Sequence, residues 1–232
     1  MRSWRVSRAT RPTDSAERLV FFTDAVVAIA LTLLVLPLVE LVPEAERAGL
    51  DLPELLQENL SEIAAFLLSF VVIFRFWWAH HQLFRHVSRL SRPVVLGNLV
   101  WLLSIVFLPW PTAIITAYDP SPGTVLLYVG TLVVSSGSLT LLGIAVRRDP
   151  AVSVGRDGET RDEVLGNATT LAMLVVALVV GSVFPEAVNY KALLLLLLSG
   201  PVERVVKRFW WRDREEPAAP PDRPRETGTD VR

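Results

Sequence analysis

Apolar residues along this chain fall into long blocks separated by clusters of charge. A helix needs about 20 predominantly apolar residues to cross the hydrocarbon core of a bilayer. Six segments reach that length, at about 19–41, 57–79, 94–117, 123–146, 163–184 and 188–208. The second carries Glu58 and Glu62 in its outer turns and turns apolar from Ile63; the fifth does so from Leu171, and the sixth is a leucine run from Leu193. The pattern predicts an all-α polytopic membrane protein with six transmembrane helices. The first block follows several arginines, as a secretory signal does, but it is too long, and Pro37 and Glu40 fit a cleavage site poorly. It is read as a retained first helix.

Charge then orients the spans. Arg2, Arg5, Arg8, Arg11 and Arg18 precede the first; Arg75, Arg85, Arg89 and Arg92, with no acid among them, lie at the end of the second or between it and the third; Arg147, Arg148, Arg156 and Arg161 lie between the fourth and fifth. Arg204, Lys207, Arg208, Arg212 and Arg214 close or follow the sixth. The opposite connections hold Glu40, Glu44, Glu46, Asp51 and Glu54 against Arg47, then Asp119, then Glu186 beside Lys191. Basic loops mark the cytoplasmic side, so both termini are expected there. Three regions follow: a cytoplasmic segment at 1–18, a six-helix transmembrane domain at 19–210, and a tail at 211–232. From Pro217 that tail has no apolar periodicity and is expected to be disordered. The stretch at 40–56, with Pro43, Gly49 and Pro53, reads as an outer loop with a short surface helix.

Composition agrees: 51% of the 232 residues are hydrophobic, and mean hydropathy is +0.42. That places the chain outside the usual range of soluble domains. The net charge of −1 gives no reason to expect a nucleic-acid partner, and the absence of cysteine excludes disulfides and thiolate metal sites. Neither a phosphate loop, a G-x-S-x-G elbow nor an H-E-x-x-H pair occurs, so no enzyme, metal or cofactor is expected. The TVGYG filter of potassium channels is also missing.

Polar residues inside the spans are the candidate chemistry. A carboxylate at the bilayer centre costs about 2.5–3.5 kcal/mol on insertion scales, so Asp24 should face protein or water and have a partner. Asp24, Arg75, Asn98 and Asn167 fall at similar depths near one face, with Glu203 and Arg204 at or slightly beyond that level. A shared network is expected there, with Asp24 paired to Arg75, Arg18 or a histidine of the His80–His81 pair. Beyond Asp24, Ala25, Ile29, Thr32 or Leu33, and Leu36 share one stripe of the first helix. Two readings of Thr32 stand: a hydroxyl that bonds back to its own helix, or an oxygen ring in a pore with dry constrictions at Ile29 and Leu36. Small residues of the fourth span (Gly130, Ser135, Ser136, Gly137, Ser138, Gly143) mark a helix-packing face. Pro109 and Pro111 should bend or end the third span. Trp77, Trp78, Trp110, Trp210 and Trp211 read as interfacial belt anchors.

Several of these residues resemble a known family. Arg18-x-x-x-Phe22-Thr23-Asp24 resembles the R-x-x-x-F-S-D signature of the transmembrane protein 175 potassium channels, and AVVAIALTLLVLP fits their first helix. Trp77, His80, His81 and Phe84 resemble their W-x-x-H-x-x-x-F stretch; Asn98-Leu99 with Phe107-Leu108-Pro109 resembles their N-L…F-L-P. The resemblance implies a homotetramer in the cell membrane passing K⁺ through a leak-type pore, because one six-helix repeat is present, as in prokaryotic members. It implies a pore lined by the first helices at Ile29, Thr32, Leu33 and Leu36. It also implies a structural polar network of Arg18, Phe22, Thr23, Asp24, Arg75, His80 and Asn98. Thr23 stands in place of serine and Ala25 where many prokaryotic members have glycine, which touches gating and conductance. A proton-coupled secondary transporter and a non-conducting membrane scaffold are the rival readings; no inverted repeat or pair of broken mid-membrane helices favours the first.

Overall fold

The structure, a computed structural model, describes residues 12–149, 152 and 157–184. Its regular elements there are all helical: α1 (Pro12–Leu33), α2 (Leu36–Ala48), α3 (Leu52–Glu58), α4 (Leu60–Phe84), α5 (Arg92–Phe107), α6 (Pro109–Ala117), α7 (Pro122–Arg148) and α8 (Asp157–Val183). Five stretches are long and apolar enough to cross a membrane: Ser15–Ala48, Leu60–Phe84, Arg92–Ala117, Pro122–Arg148 and Glu163–Val183. They coincide with the first five expected spans, and the chain is a multi-pass membrane protein. The expected sixth span at 188–208, Glu203, Arg204 and the tail lie outside the described residues.

Two spans are broken, each at a proline. Pro37 has no N–H to donate to the carbonyl four residues earlier, so the first helix stops at Leu33 and restarts at Leu36. A tighter bond from Val35 N–H to the Thr32 carbonyl (3.3 Å) closes the gap. The third span divides in the same way at Leu108, ahead of Pro109, with Leu108 N–H bonded to the Ile105 carbonyl at 3.2 Å. This is the bend the prolines predict.

The region 40–56 differs from the expected loop. Helix α2 continues to Ala48 and ends on Gly49, whose φ of 75° lies in the left-handed region that glycine adopts at little cost. Leu50 N–H bonds back to the Ala45 carbonyl at 3.0 Å and Gly49 N–H to that of Glu46 at 3.2 Å. Asp51 then starts α3 by accepting from Glu54 N–H at 2.9 Å, while the Glu54 carboxylate accepts from Asp51 N–H at 2.9 Å. Strong stop and start signals this close together leave only a three-residue connection, Gly49 to Asp51.

Helix α7 runs through the middle of the bundle, packed against α5 on one side and α8 on the other. Its small residues permit this. A Cβ at Gly143 would lie 2.6 Å from a methyl of Val164 in α8, and one at Gly97 of α5 would lie 2.9 Å from Leu142 of α7. Ser135 bonds to Ser104 of α5 at 2.7 Å, and Tyr128 bonds to Ser69 of α4 at 3.1 Å. At the arginine-bearing end, Ser88 donates through its N–H (2.8 Å) and its hydroxyl (3.0 Å) to the Val152 carbonyl. His86 Nδ1 lies 3.5 Å from the Glu163 carboxylate. These contacts tie the connection after α4 to the region between α7 and α8.

Candidate functional site

Helix α1 has two different faces. Thr23, Val27, Ala30 and Leu34 are buried against the bundle, one every three or four residues. Phe22, Ala25, Ile29, Thr32 and Leu33 form the opposite stripe and are exposed on the surface of the protomer, as is Leu36 at the start of α2; Ile29 is 59% exposed and Leu36 52%. The helical period places Thr32 about one turn beyond Ile29 on that stripe, and Leu36 follows across the break. Its hydroxyl donates to the Ile29 carbonyl at 2.8 Å, so the bond back to its own helix is present.

The inward face carries polar groups at one level. Asn98 of α5 bridges two helices: its amide nitrogen donates to Thr23 Oγ1 at 3.1 Å, and its Oδ1 lies 2.6 Å from His80 Nε2 on α4. An amide oxygen only accepts, so His80 carries its proton on Nε2. The imidazole is fully buried and stacked between Phe84 and Trp101, with ring centroids 4.3 and 4.2 Å away. Thr23, also fully buried, has its additional methyl packed in the same layer.

Asp24 is half-buried beside this chain and accepts the indole N–H of Trp77 at 2.8 Å. The sequence reading assigns Trp77 to the membrane belt and looks for an arginine or histidine beside Asp24; among the described residues Trp77 is a hydrogen-bonding partner of Asp24 that the sequence reading did not name. A signal for this exists in the sequence. Trp77 and Trp78 are adjacent, so a helix turns them about 100° apart and both cannot face lipid equally. Trp77 is half-buried and Trp78 is 49% exposed. Trp101, three residues after Asn98, is a second aromatic of the site that sequence reasoning missed; it is wholly buried.

Of the remaining candidates, Arg18 and Phe22 lie on exposed positions of α1, and Arg75 is half-buried on α4. Asn167 sits on α8 beside α7, where its carbonyl accepts from Ser136 at 3.4 Å. The structure thus brings Thr23, Asp24, Trp77, His80 and Asn98 of three helices together, and places Ile29, Thr32 and Leu33 apart from them on the outer stripe of α1, with Leu36 exposed at the start of α2.

Residues 18–109 match the profile of a family described as "Endosomal/lysosomal potassium channel TMEM175". This segment contains every residue of the polar layer and of the stripe. A protein of Streptomyces collinus named a potassium channel is 40% identical over 105 residues, which are 45% of this chain and 50% of that protein. One from Chamaesiphon minutus, similarly named, is 38% identical over 104 residues, 44% of this chain and 49% of its own. Human TMEM175, named an endosomal/lysosomal proton channel, is 27% identical over 218 residues, 89% of this chain and 42% of that protein. The chain therefore spans about half the length of the curated relatives it matches. The crystal structure of a lysosomal potassium-selective channel TMEM175 homolog from Chamaesiphon minutus has the same fold. It aligns with a TM-score of 0.68 and 24% identity over 82% of this chain and 98% of that one. Residues 18–109, which hold Thr23, Asp24, Trp77, His80 and Asn98 of α1, α4 and α5, are thus similar to the TMEM175 family, and the fold is that of the Chamaesiphon homolog.

Proposed function

We propose that the chain is a subunit of a potassium-permeable, leak-type channel of the cell membrane. Four copies surround one pore, both termini are cytoplasmic, and neither catalysis nor a cofactor is involved. The observation that carries this reading is the outward stripe of α1, on which one hydroxyl, Thr32, sits among Ile29, Leu33 and Leu36.

A stripe of branched apolar side chains suits lipid, but the same stripe repeated around an axis makes a narrow dry passage. The Thr32 proton is committed to the Ile29 carbonyl, so the hydroxyl offers oxygen lone pairs outward. Four such oxygens supply ligands to a cation that has shed water, and the rings of Ile29 and Leu36 on either side act as constrictions that dewet. Without a backbone filter, selectivity rests on these side chains. Thr23, Asp24, His80 and Asn98 hold α1 in place on its inner face, and by family resemblance Arg18, Phe22 and Arg75 complete that structural role. The two bacterial relatives are named potassium channels and the human one a proton channel, so both ions belong in the test.

Recordings from purified protein in planar bilayers, under asymmetric K⁺ and Na⁺ and then under a pH gradient, decide the matter. Unitary currents reversing near the K⁺ equilibrium potential are expected; saturable coupled flux would identify a transporter, and silence a scaffold. Thr32→Ala should lower the preference for K⁺ over Na⁺, and Ile29→Asn should wet the constriction and raise leak. Unchanged reversal and current in both variants place the pore elsewhere.

A further inference from the structure

A groove of about 210 Å³ opens between the start of α1 and the end of α4, at the level where apolar sequence gives way to arginines. Val20, Phe21, Phe84 and Val87 form its apolar wall, and its charged rim consists of Glu17 and Arg85. Both rim residues are exposed, and the Arg85 guanidinium donates to Gln82 at 2.9 Å through a single nitrogen, Nη1, leaving its other donors outward. His81 also lines the groove, and its Nδ1 has no hydrogen-bond partner among the described residues.

We infer that this groove binds the headgroup and upper acyl chain of a zwitterionic aminophospholipid, with the lipid phosphate on Arg85, its primary ammonium on Glu17, and the chain along Phe21 and Phe84. The argument is charge complementarity at a fixed depth. One guanidinium and one carboxylate on the rim of an apolar cleft match a phosphate and an ammonium carried on one headgroup. An anionic lipid satisfies Arg85 but meets the Glu17 carboxylate with like charge. A choline lipid keeps the positive charge but has no N–H to donate to Glu17. A guanidinium binds phosphate through paired donors, and the interfacial position keeps both charges out of hydrocarbon. The site lies on the first half of α1, two to three turns before Ile29 and Thr32, and does not depend on conduction.

Native mass spectrometry of the full chain, reconstituted in nanodiscs of equal parts phosphatidylethanolamine, phosphatidylcholine and phosphatidylglycerol, reads the retained lipid directly. Phosphatidylethanolamine should be enriched at least threefold over each of the others. Glu17→Gln should shift retention toward phosphatidylglycerol, Arg85→Gln should erase the preference among the three, and Val20→Trp, which fills the groove, should lower retention of all. Arg92→Gln, an exposed arginine outside the groove, should keep the wild-type pattern. Equal retention of the three lipids by the unaltered protein, a preference for phosphatidylglycerol, or a preference surviving both rim substitutions overturns the assignment.

Discussion

His80 occupies an apolar slot between two aromatic rings, and the hydrogen bond it makes runs through Asn98. Asn98→Ala therefore strands two buried groups at once, the His80 N–H and the Thr23 hydroxyl. A buried polar group left without its partner costs about 1–3 kcal/mol. We expect Asn98→Ala to lower the thermal midpoint of the purified protein by several degrees, and a thermal melt in detergent checks it. At this scale the sequence was legible in part. Depth named Asp24 and Asn98, together with Arg75 and Asn167, as a layer because charge and amide at matching depth have few other reasons to be there. Thr23 entered only by family resemblance, and His80 by that resemblance and as a candidate partner of Asp24. Trp77 and Trp101 could not be separated from belt residues, since indole suits both an interface and a buried hydrogen bond. Only their spacing from His80 and Asn98 distinguishes them.

Helices pack here by near-contact of backbones, and Gly143 is the tightest point. A methyl added there meets Val164 at 2.6 Å, whereas one at Gly130 meets only Leu126 of its own helix at 3.8 Å. Overpacking of this kind costs about 1–3 kcal/mol. Gly143→Ala should shift unfolding in a denaturant titration to lower denaturant; Gly143→Ala with Val164→Ala should recover most of the loss, and Gly130→Ala should be near neutral. The apolar blocks made five of these spans readable, because length and hydropathy alone decide what can cross a bilayer. The extent of α2 was not readable. Pro43 and Glu44 look like loop composition, yet a proline in an exposed helix can be tolerated where water or neighbours satisfy the freed carbonyl. The close succession of Gly49 and Asp51, a helix stop followed by a helix start, was the better guide.

For the whole molecule, the question is what covers α1. Its outward stripe leaves Phe22 and Ile29 more than half exposed in a single protomer, as is Leu36 just beyond the break. Native mass spectrometry of the purified assembly should give four copies, and cysteines introduced at Leu36 should crosslink between copies; monomers without crosslinks would leave the stripe to lipid. Stoichiometry was never legible in the pattern of apolar positions. Lipid and a neighbouring copy present the same chemistry to a branched side chain, and the proposed assembly rests on the lone Thr32 hydroxyl, whose proton is bonded to its own helix.

One asymmetry in how α1 is held has a mechanical result. Midway along, the helix is fastened by directional bonds, from Asn98 of α5 to Thr23 and from Trp77 of α4 to Asp24, and the connection between those two helices is itself tied at Ser88 to Val152. Further along, Val27, Ala30 and Leu34 rest on the bundle by apolar contact alone, and the proline break follows immediately. A rod clamped at its middle and merely resting beyond that point swings most at the far end of the resting half. A tilt of a few degrees about Thr23 and Asp24 thus moves Ile29 little and Leu33 more, so displacement of α1 should be greatest beside the proline break.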